Sequence, residues 1–158
     1  MLGIILLWYV FWWWRRNRRR DASFWETYRY IGGVVVVCMS LIYATVLAHG
    51  LHLATLRWAA TAYGLMFILV ANVLPRLRPN GWIGVRTPWT LVDERVWNWT
   101  HRMSGQLGIL AGIFIILLAW LLPSLPHVMM IGVLAPVFIW LFVVLVASYL
   151  YARRLRRV

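Results

Sequence analysis

Lysine is absent from this chain, acidic residues number only four, and cysteine occurs once. Each shortage excludes something. With a single thiol, Cys38, no disulfide can form within the chain, and the redox compartment stays open. Cys38 also falls in an apolar run, where a small buried side chain is the default. The lack of lysine makes every basic residue an arginine. A coding bias explains this more simply than selection of guanidinium forks for bidentate phosphate contacts. Charge of both signs is scarce. Charged residues make up 13% of the chain and hydrophobic ones 63%, against about 25% charged in a soluble domain. An ordinary soluble domain is excluded on that ground, although 158 residues are enough for one.

What remains is a net charge of +12 confined to a few polar segments. So basic a chain raises the question of nucleic acid. Apolar stretches flank every arginine cluster, however, so anionic lipid headgroups are the nearer polyanion. We therefore expect a bilayer partner and no nucleic acid.

Residues 103–152 hold no Asp, Glu, Lys or Arg, a run too long for one crossing of about 20 residues. Pro123-Ser124-Leu125-Pro126-His127 interrupts it with two prolines, which suit a tight turn. The reading is a helical hairpin, 105–122 and 128–151. Ile31–Gly50 and Trp58–Leu74 are two further apolar runs of spanning length, joined by the short Leu51–Arg57 connection and hence antiparallel neighbours. The first segment, Met1–Trp14, reaches only about 21 Å as a helix, short of a core of about 30 Å. It has no basic region ahead of it and no small-residue cleavage site, which fits a signal peptide poorly. We read it as a short fifth span through locally thinned bilayer, with partial insertion as the alternative. Its Trp12-Trp13-Trp14 end abuts Arg15-Arg16-Asn17-Arg18-Arg19-Arg20, as at a headgroup layer.

The fold class is thus all-α: an integral membrane helical bundle of one domain. Along it we distinguish an N-terminal part, 1–30, an additional span and outside turn, 31–57, a core unit, 58–151, and a basic tail, 152–158. Arginines set the orientation. Six lie in 15–29, five in 76–102 and four in 153–157, while Arg57 alone falls in the opposite loops. The rich side is expected to be cytoplasmic, in the cytoplasmic membrane of a bacterium. Ser104, Gly108 and Gly112 at four-residue spacing, and likewise Ser40, Ala44 and Ala48, form small-residue stripes that let backbones approach.

The stretch 72–105, NVLPRLRPNGWIGVRTPWTLVDERVWNWTHRMSG, differs from the rest. Pro75, Pro79 and Pro88 with Gly81 and Gly84 make its first half an irregular loop. A helix then begins either with Thr87 as cap and Pro88 in first position, or with Thr90 capping ahead of Asp93. In that helix Val92, Val96, Trp99 and Met103 form one apolar face, with Glu94, Asn98 and His101 on another. An amphipathic helix of this kind, joined to a span, is expected to rest at the cytoplasmic interface. Arg86 we expect to anchor the loop to Glu94 or Asp93, ahead of binding an anion or lipid phosphate or standing free beside headgroups. Asn72, polar near the end of a span, calls for an interhelical hydrogen bond.

The same stretch resembles the SdpI-like family, bacterial membrane proteins named for an immunity protein against a secreted killing peptide. The resemblance rests on Asn72, Leu74, Pro75, Arg78, Pro79 and Asn80, then on Gly84-Val85-Arg86-Thr87-Pro88-Trp89-Thr90-Leu91. It continues through Glu94, Val96, Trp97, Thr100, His101, Arg102 and Gly105, and covers roughly residues 58–150. Ser104 stands where a glycine is usual, and the N-terminal third shows no counterpart of the extra domain that some members carry. The resemblance implies immunity to, or sensing of, a membrane-active peptide toxin bound within the bilayer. It also implies a possible cytoplasmic regulator as partner. The rival readings are a structural or assembly subunit of a membrane complex and a small transporter, the latter disfavoured because the spans hold no charged residue.

Enzyme chemistry is not expected. His101 lies seven residues after Glu94, two turns along one helix, and no set of three or four ligands converges in sequence. No cofactor or metal is implied, and no nucleophile elbow, HExxH or phosphate loop occurs. Reporter fusions within the 76–102 connection and at the C-terminal tail are expected to score on one side, and fusions in the 51–57 and 123–127 turns on the other. Opposite sides for the first pair would overturn the topology.

Overall fold

A computed structural model of the chain describes residue 9 and residues 22–53, 55–79 and 83–156, with only the backbone path for 22–28. Apart from Tyr9, the expected short first span and the arginine run after it, together with Asn80, Gly81 and Trp82, lie outside the described residues. The described residues form helices and loops with no strand. Helix α1 spans Ala22–Gly50, α2 Leu56–Val73, and a 3-10 turn Leu74–Arg76 prolongs α2. After a loop comes the short α3, Pro88–Val92, then α4, Glu94–Leu121, and α5, Pro126–Leu155. Four of these helices, α1, α2, α4 and α5, are long and apolar enough to cross a membrane, as expected.

The helix ends follow from local chemistry. At the end of α1, Leu53 N–H reaches the Ala48 carbonyl (2.8 Å) and His52 N–H the His49 carbonyl (3.1 Å). With His52 at φ 56°, this is the left-handed termination that satisfies carbonyls otherwise orphaned at a helix end. Pro75 stops α2 as a regular helix, since it has no N–H to offer the ladder. The predicted hairpin turn is present, with Pro126 in the first turn of α5. Arg57, the lone arginine of its side, donates from Nε to Ser124 Oγ (2.7 Å) and from Nη2 to the Leu122 carbonyl (3.5 Å). It thereby ties the start of α2 to the α4–α5 turn, and Trp58 meets Trp120 edge-on beside it at 5.5 Å.

The bundle is built on the pair α2 and α4, which run antiparallel in the closest contact of the structure; α1 packs on α2 and α5 on α4. Lipid offers helices no hydrophobic reason to associate, so close packing has to come from small residues. Gly64 faces Gly112: a Cβ on either would stand 2.8 Å from the other's carbonyl oxygen. Further along, Gly108 meets Ala71 and Gly105 meets Pro75. The stripe on α4 therefore serves packing within one chain, with Gly105 in contact with α2 alongside Gly108 and Gly112. Ser104 is buried one position round the helix, and its carbonyl accepts a hydrogen bond from Trp140 Nε1 of α5 (2.9 Å). On α1, Ala44 of the second stripe is exposed. Large side chains such as Val46, Leu110, Phe138 and Phe142 point outward, the arrangement of a chain whose solvent is lipid.

The single amphipathic helix expected from Thr87 onward is interrupted at Asp93, whose φ −127° and ψ 119° are extended. Its carboxylate caps α4 by accepting from Arg95 N–H (2.8 Å), which favours a restart over a continuous helix. Val92 consequently leaves the supposed apolar face and is 81% exposed, while Val96 stays buried. Gly112→Ala is expected to destabilise by about 1–3 kcal/mol through overpacking, because its Cβ would also stand 2.5 Å from Ile68 Cγ1. Gly33→Ala, with nothing within 4 Å, is expected to be neutral or slightly stabilising. Unfolding of the purified chain in mixed micelles reads both.

Candidate functional site

Residues 77–79 and 83–87 leave the helical ladder while lying against the bundle, so the backbone groups they bury need side-chain partners. Two residues of α4 supply them. Trp97 is fully buried and donates Nε1–H to the Leu77 carbonyl (2.8 Å). Around its indole pack Val73, Leu74 and Leu77, with Tyr30, Ile31, Val34 and Trp140 at the edges. One turn on, His101 is 1% exposed and stacks on Trp97 with centroids 4.1 Å apart.

Both nitrogens of the His101 ring are committed. Nε2 accepts from Val85 N–H (3.0 Å), so it carries no proton; Nδ1 then bears the hydrogen and donates to the Trp97 carbonyl (2.8 Å). The imidazole is thus neutral and of one tautomer. Gly84 makes the approach possible: it adopts φ 121°, and a Cβ there would collide with His101 Nε2. Any other residue would meet both the backbone restriction and the ring. His101, expected on one face with Glu94 and Asn98, differs from both in being buried. The helical spacing placed it correctly relative to those two, yet the loop folds over that side and covers it.

From Val85 the bonding passes to α3. Thr87 caps α3 and Pro88 takes its first position, the first of the two starts considered. Thr90, 1% exposed, donates Oγ1–H to the Val85 carbonyl (2.8 Å) and accepts from Thr87 N–H (2.9 Å). Thr90 N–H in turn reaches Thr87 Oγ1 (3.4 Å), which closes a reciprocal cap. Trp89 then donates to Ser148 Oγ of α5 (3.0 Å) and meets Tyr149 edge-on at 5.3 Å. The loop is clamped to α4 at one end and to α5 at the other.

The remaining sequence candidates surround this clamp. Asn72 donates to the Tyr30 hydroxyl of α1 (2.8 Å), the expected interhelical bond, and the Arg76 guanidinium lies 4.3 Å over the same ring. Pro75 fills the space above Gly105. Arg78, Pro79, Pro88, Glu94 and Arg102 are exposed. Arg86 is exposed too, and among the described residues it makes no ion pair with Asp93 or Glu94. The anchoring role expected of it is corrected: Asp93 is engaged with the α4 backbone, and His101, Trp97 and Thr90 anchor the loop. Leu77, Ser148, Trp140 and Tyr30 were not singled out from sequence. Ser148 had a signal, as the one Ser or Thr in the apolar stretch 128–151. Thr100 Oγ1, fully buried, has no hydrogen-bond partner among the described residues.

Beside the clamp, between α3, the start of α4 and the end of α5, a groove of about 330 Å³ is lined by Trp89, Val92, Asp93, Glu94, Val96, Ala152, Leu155 and Arg156. It pairs an apolar wall with two carboxylates and one guanidinium. Among the described residues no three His, Cys, Asp or Glu gather to hold a metal ion, and His101 has no lone pair left for a substrate proton. The arrangement holds a loop in place and presents a surface.

Residues 76–148 match the model of the SdpI/YfhL protein family. The chain is 32% identical over 92 residues to the protein named Immunity protein SdpI of Bacillus subtilis (strain 168). That alignment takes in 58% of this chain and 43% of the relative, so the chain spans less than half of the relative's length. No solved structure matches. Thr90→Val, which removes one hydroxyl and strands the half-buried Val85 carbonyl and the buried Thr87 N–H, is expected to cost about 1–3 kcal/mol. Thr90→Ser, which keeps the hydroxyl, should recover most of it, as read by unfolding in mixed micelles.

Proposed function

We propose that this chain, whose residues 76–148 match the model of the SdpI/YfhL family, is a membrane immunity protein that protects its host from a membrane-active peptide. One observation carries this reading. The family match falls on a single physical unit: the end of the 3-10 turn, the clamped loop, α3, α4 and most of α5. The name of the Bacillus subtilis relative supports immunity as its purpose.

Such a peptide is an apolar or amphipathic helix already in the bilayer. A small bundle captures it through helix-to-helix contacts of the kind α2 and α4 make with each other, and so keeps it from permeabilising the membrane. On this reading the arginine-rich end, with residues 76–102 and the C-terminus, faces the cytoplasm of a bacterium and contacts anionic headgroups. The clamped loop then serves as the cytoplasmic gate of the bundle, or as the surface that recruits a regulator when the peptide is sensed. The family-motif residues on that surface are Arg78, Arg86, Glu94 and Arg102.

The test is expression in a toxin-sensitive bacterium, beside Arg86→Ala matched for abundance in the membrane. The wild-type chain is expected to raise survival against at least one peptide of a panel of membrane-active peptides. Arg86→Ala, altered only at an exposed position, is expected to protect less. Equal killing with and without the wild-type chain across the panel would overturn immunity.

A further inference from the structure

We propose that His101 is a proton-operated latch that holds the 83–87 loop closed when neutral and releases it when the ring gains a proton. The geometry leaves one atom to decide the matter. Nε2 accepts the Val85 N–H, and a proton on Nε2 turns that acceptor into a donor facing a donor. The bond is then lost and the two N–H groups oppose each other.

The ring cannot turn aside to relieve this. Its Nδ1–H is held by the Trp97 carbonyl at 2.8 Å, and its face lies on the Trp97 indole with an interplanar angle of 22°. Protonation preserves both of those contacts, since Nδ1 keeps its hydrogen and a cation on an indole face is attracted to it. The ring stays and the loop moves. Gly84 has no side chain to hold the loop by other means. Freed, Val85 withdraws its carbonyl from Thr90 Oγ1, the hydroxyl that also accepts from Thr87 N–H and so supports the α3 cap. Through α3 the release reaches the Trp89 bond to Ser148 on α5.

The charged and titratable groups around the ring are known for the described side chains. The loop carries Arg86; the 3-10 turn and its exit carry Arg76 and Arg78; Tyr30 of α1 lies beside Arg76. On α4 itself Arg95 and Arg102 flank the ring in sequence, and α3 carries no charge. The two carboxylates of the region, Asp93 and Glu94, line the groove with α5, where Asp93 caps the helix. None of these groups bonds to the imidazole, whose two polar contacts are both with backbone. Among these neighbours, no other group switches from acceptor to donor at the atom that holds the loop.

Hydrogen exchange of the full chain in detergent micelles tests the latch, comparing pH 7.5 with pH 5.0 after correction for intrinsic exchange. In the wild type, protection of the peptide containing Val85 is expected to fall at least tenfold on acidification. In His101→Gln, whose carboxamide oxygen reaches the Nε2 position and takes no proton, protection is expected to be the same at both pH values. Unchanged protection in the wild type, or an equal fall in both proteins, overturns the proposal. Should His101→Gln be unprotected throughout, nitrogen-15 spectra of histidine-labelled wild type decide. A His101 signal, identified by its absence in the variant, that passes from the neutral Nδ1–H form to imidazolium as the loop is released supports the latch. A signal that stays neutral while the loop opens overturns it.

Discussion

A polypeptide that leaves its helix while still packed against a helical bundle has to find partners for the backbone groups it buries, because water no longer reaches them. In this chain the problem arises after Leu77, and α4 and α3 solve it together. Trp97 takes the Leu77 carbonyl, His101 takes the Val85 N–H, and the Val85 carbonyl goes to Thr90. An unmet buried N–H or C=O would cost about 1–3 kcal/mol, so these contacts decide where the loop lies. The conformation of Gly84, the burial of His101 and the seating of α3 on α5 all follow from them.

The outline of this arrangement was legible in the sequence because it depends on composition. Four spans, the proline-marked hairpin turn and the irregular 72–105 segment come from runs of apolar residues and their breaks, and a bilayer imposes both simply. Thr87 before Pro88 was one of the two helix starts the sequence offered, and α3 takes it, since the cap and the fixed φ of proline are local effects. Asn72, polar at the end of a span, was rightly expected to bond another helix, and Tyr30 is the partner.

What sequence did not give is the direction each polar side chain faces once the loop folds back. Helical periodicity puts Glu94, Asn98 and His101 on one side of α4, and a reader of the pattern assigns that side to water. The loop covers its far end, so Glu94 and Asn98 are exposed and His101 is not. Arg86 failed for a related reason. A guanidinium with two carboxylates nearby in sequence suggests an ion pair, but Asp93 meets the first N–H groups of α4 at once, by a contact that needs no long-range folding. The restart at Asp93 likewise escaped notice, because Thr90 competes for the role of cap and the winner depends on the Val85 carbonyl, a partner set by tertiary structure.

The clamp and the helix packing are not separate features. Trp97, His101, Gly105, Gly108 and Gly112 succeed one another at steps of three or four, and so lie along one side of α4. The last three let α2 and the 3-10 turn approach to backbone contact; the first two bind the loop that issues from that same turn. One continuous helix of 28 residues therefore carries both, and sets the position of α2 relative to the position of the loop. A rotation of α4 by a single residue would remove the glycines from α2 and His101 from Val85 together. The close approach at Gly64 and Gly112, deep in the apolar part of the bundle, is thus what keeps an imidazole and a glycine in register at its arginine-rich end.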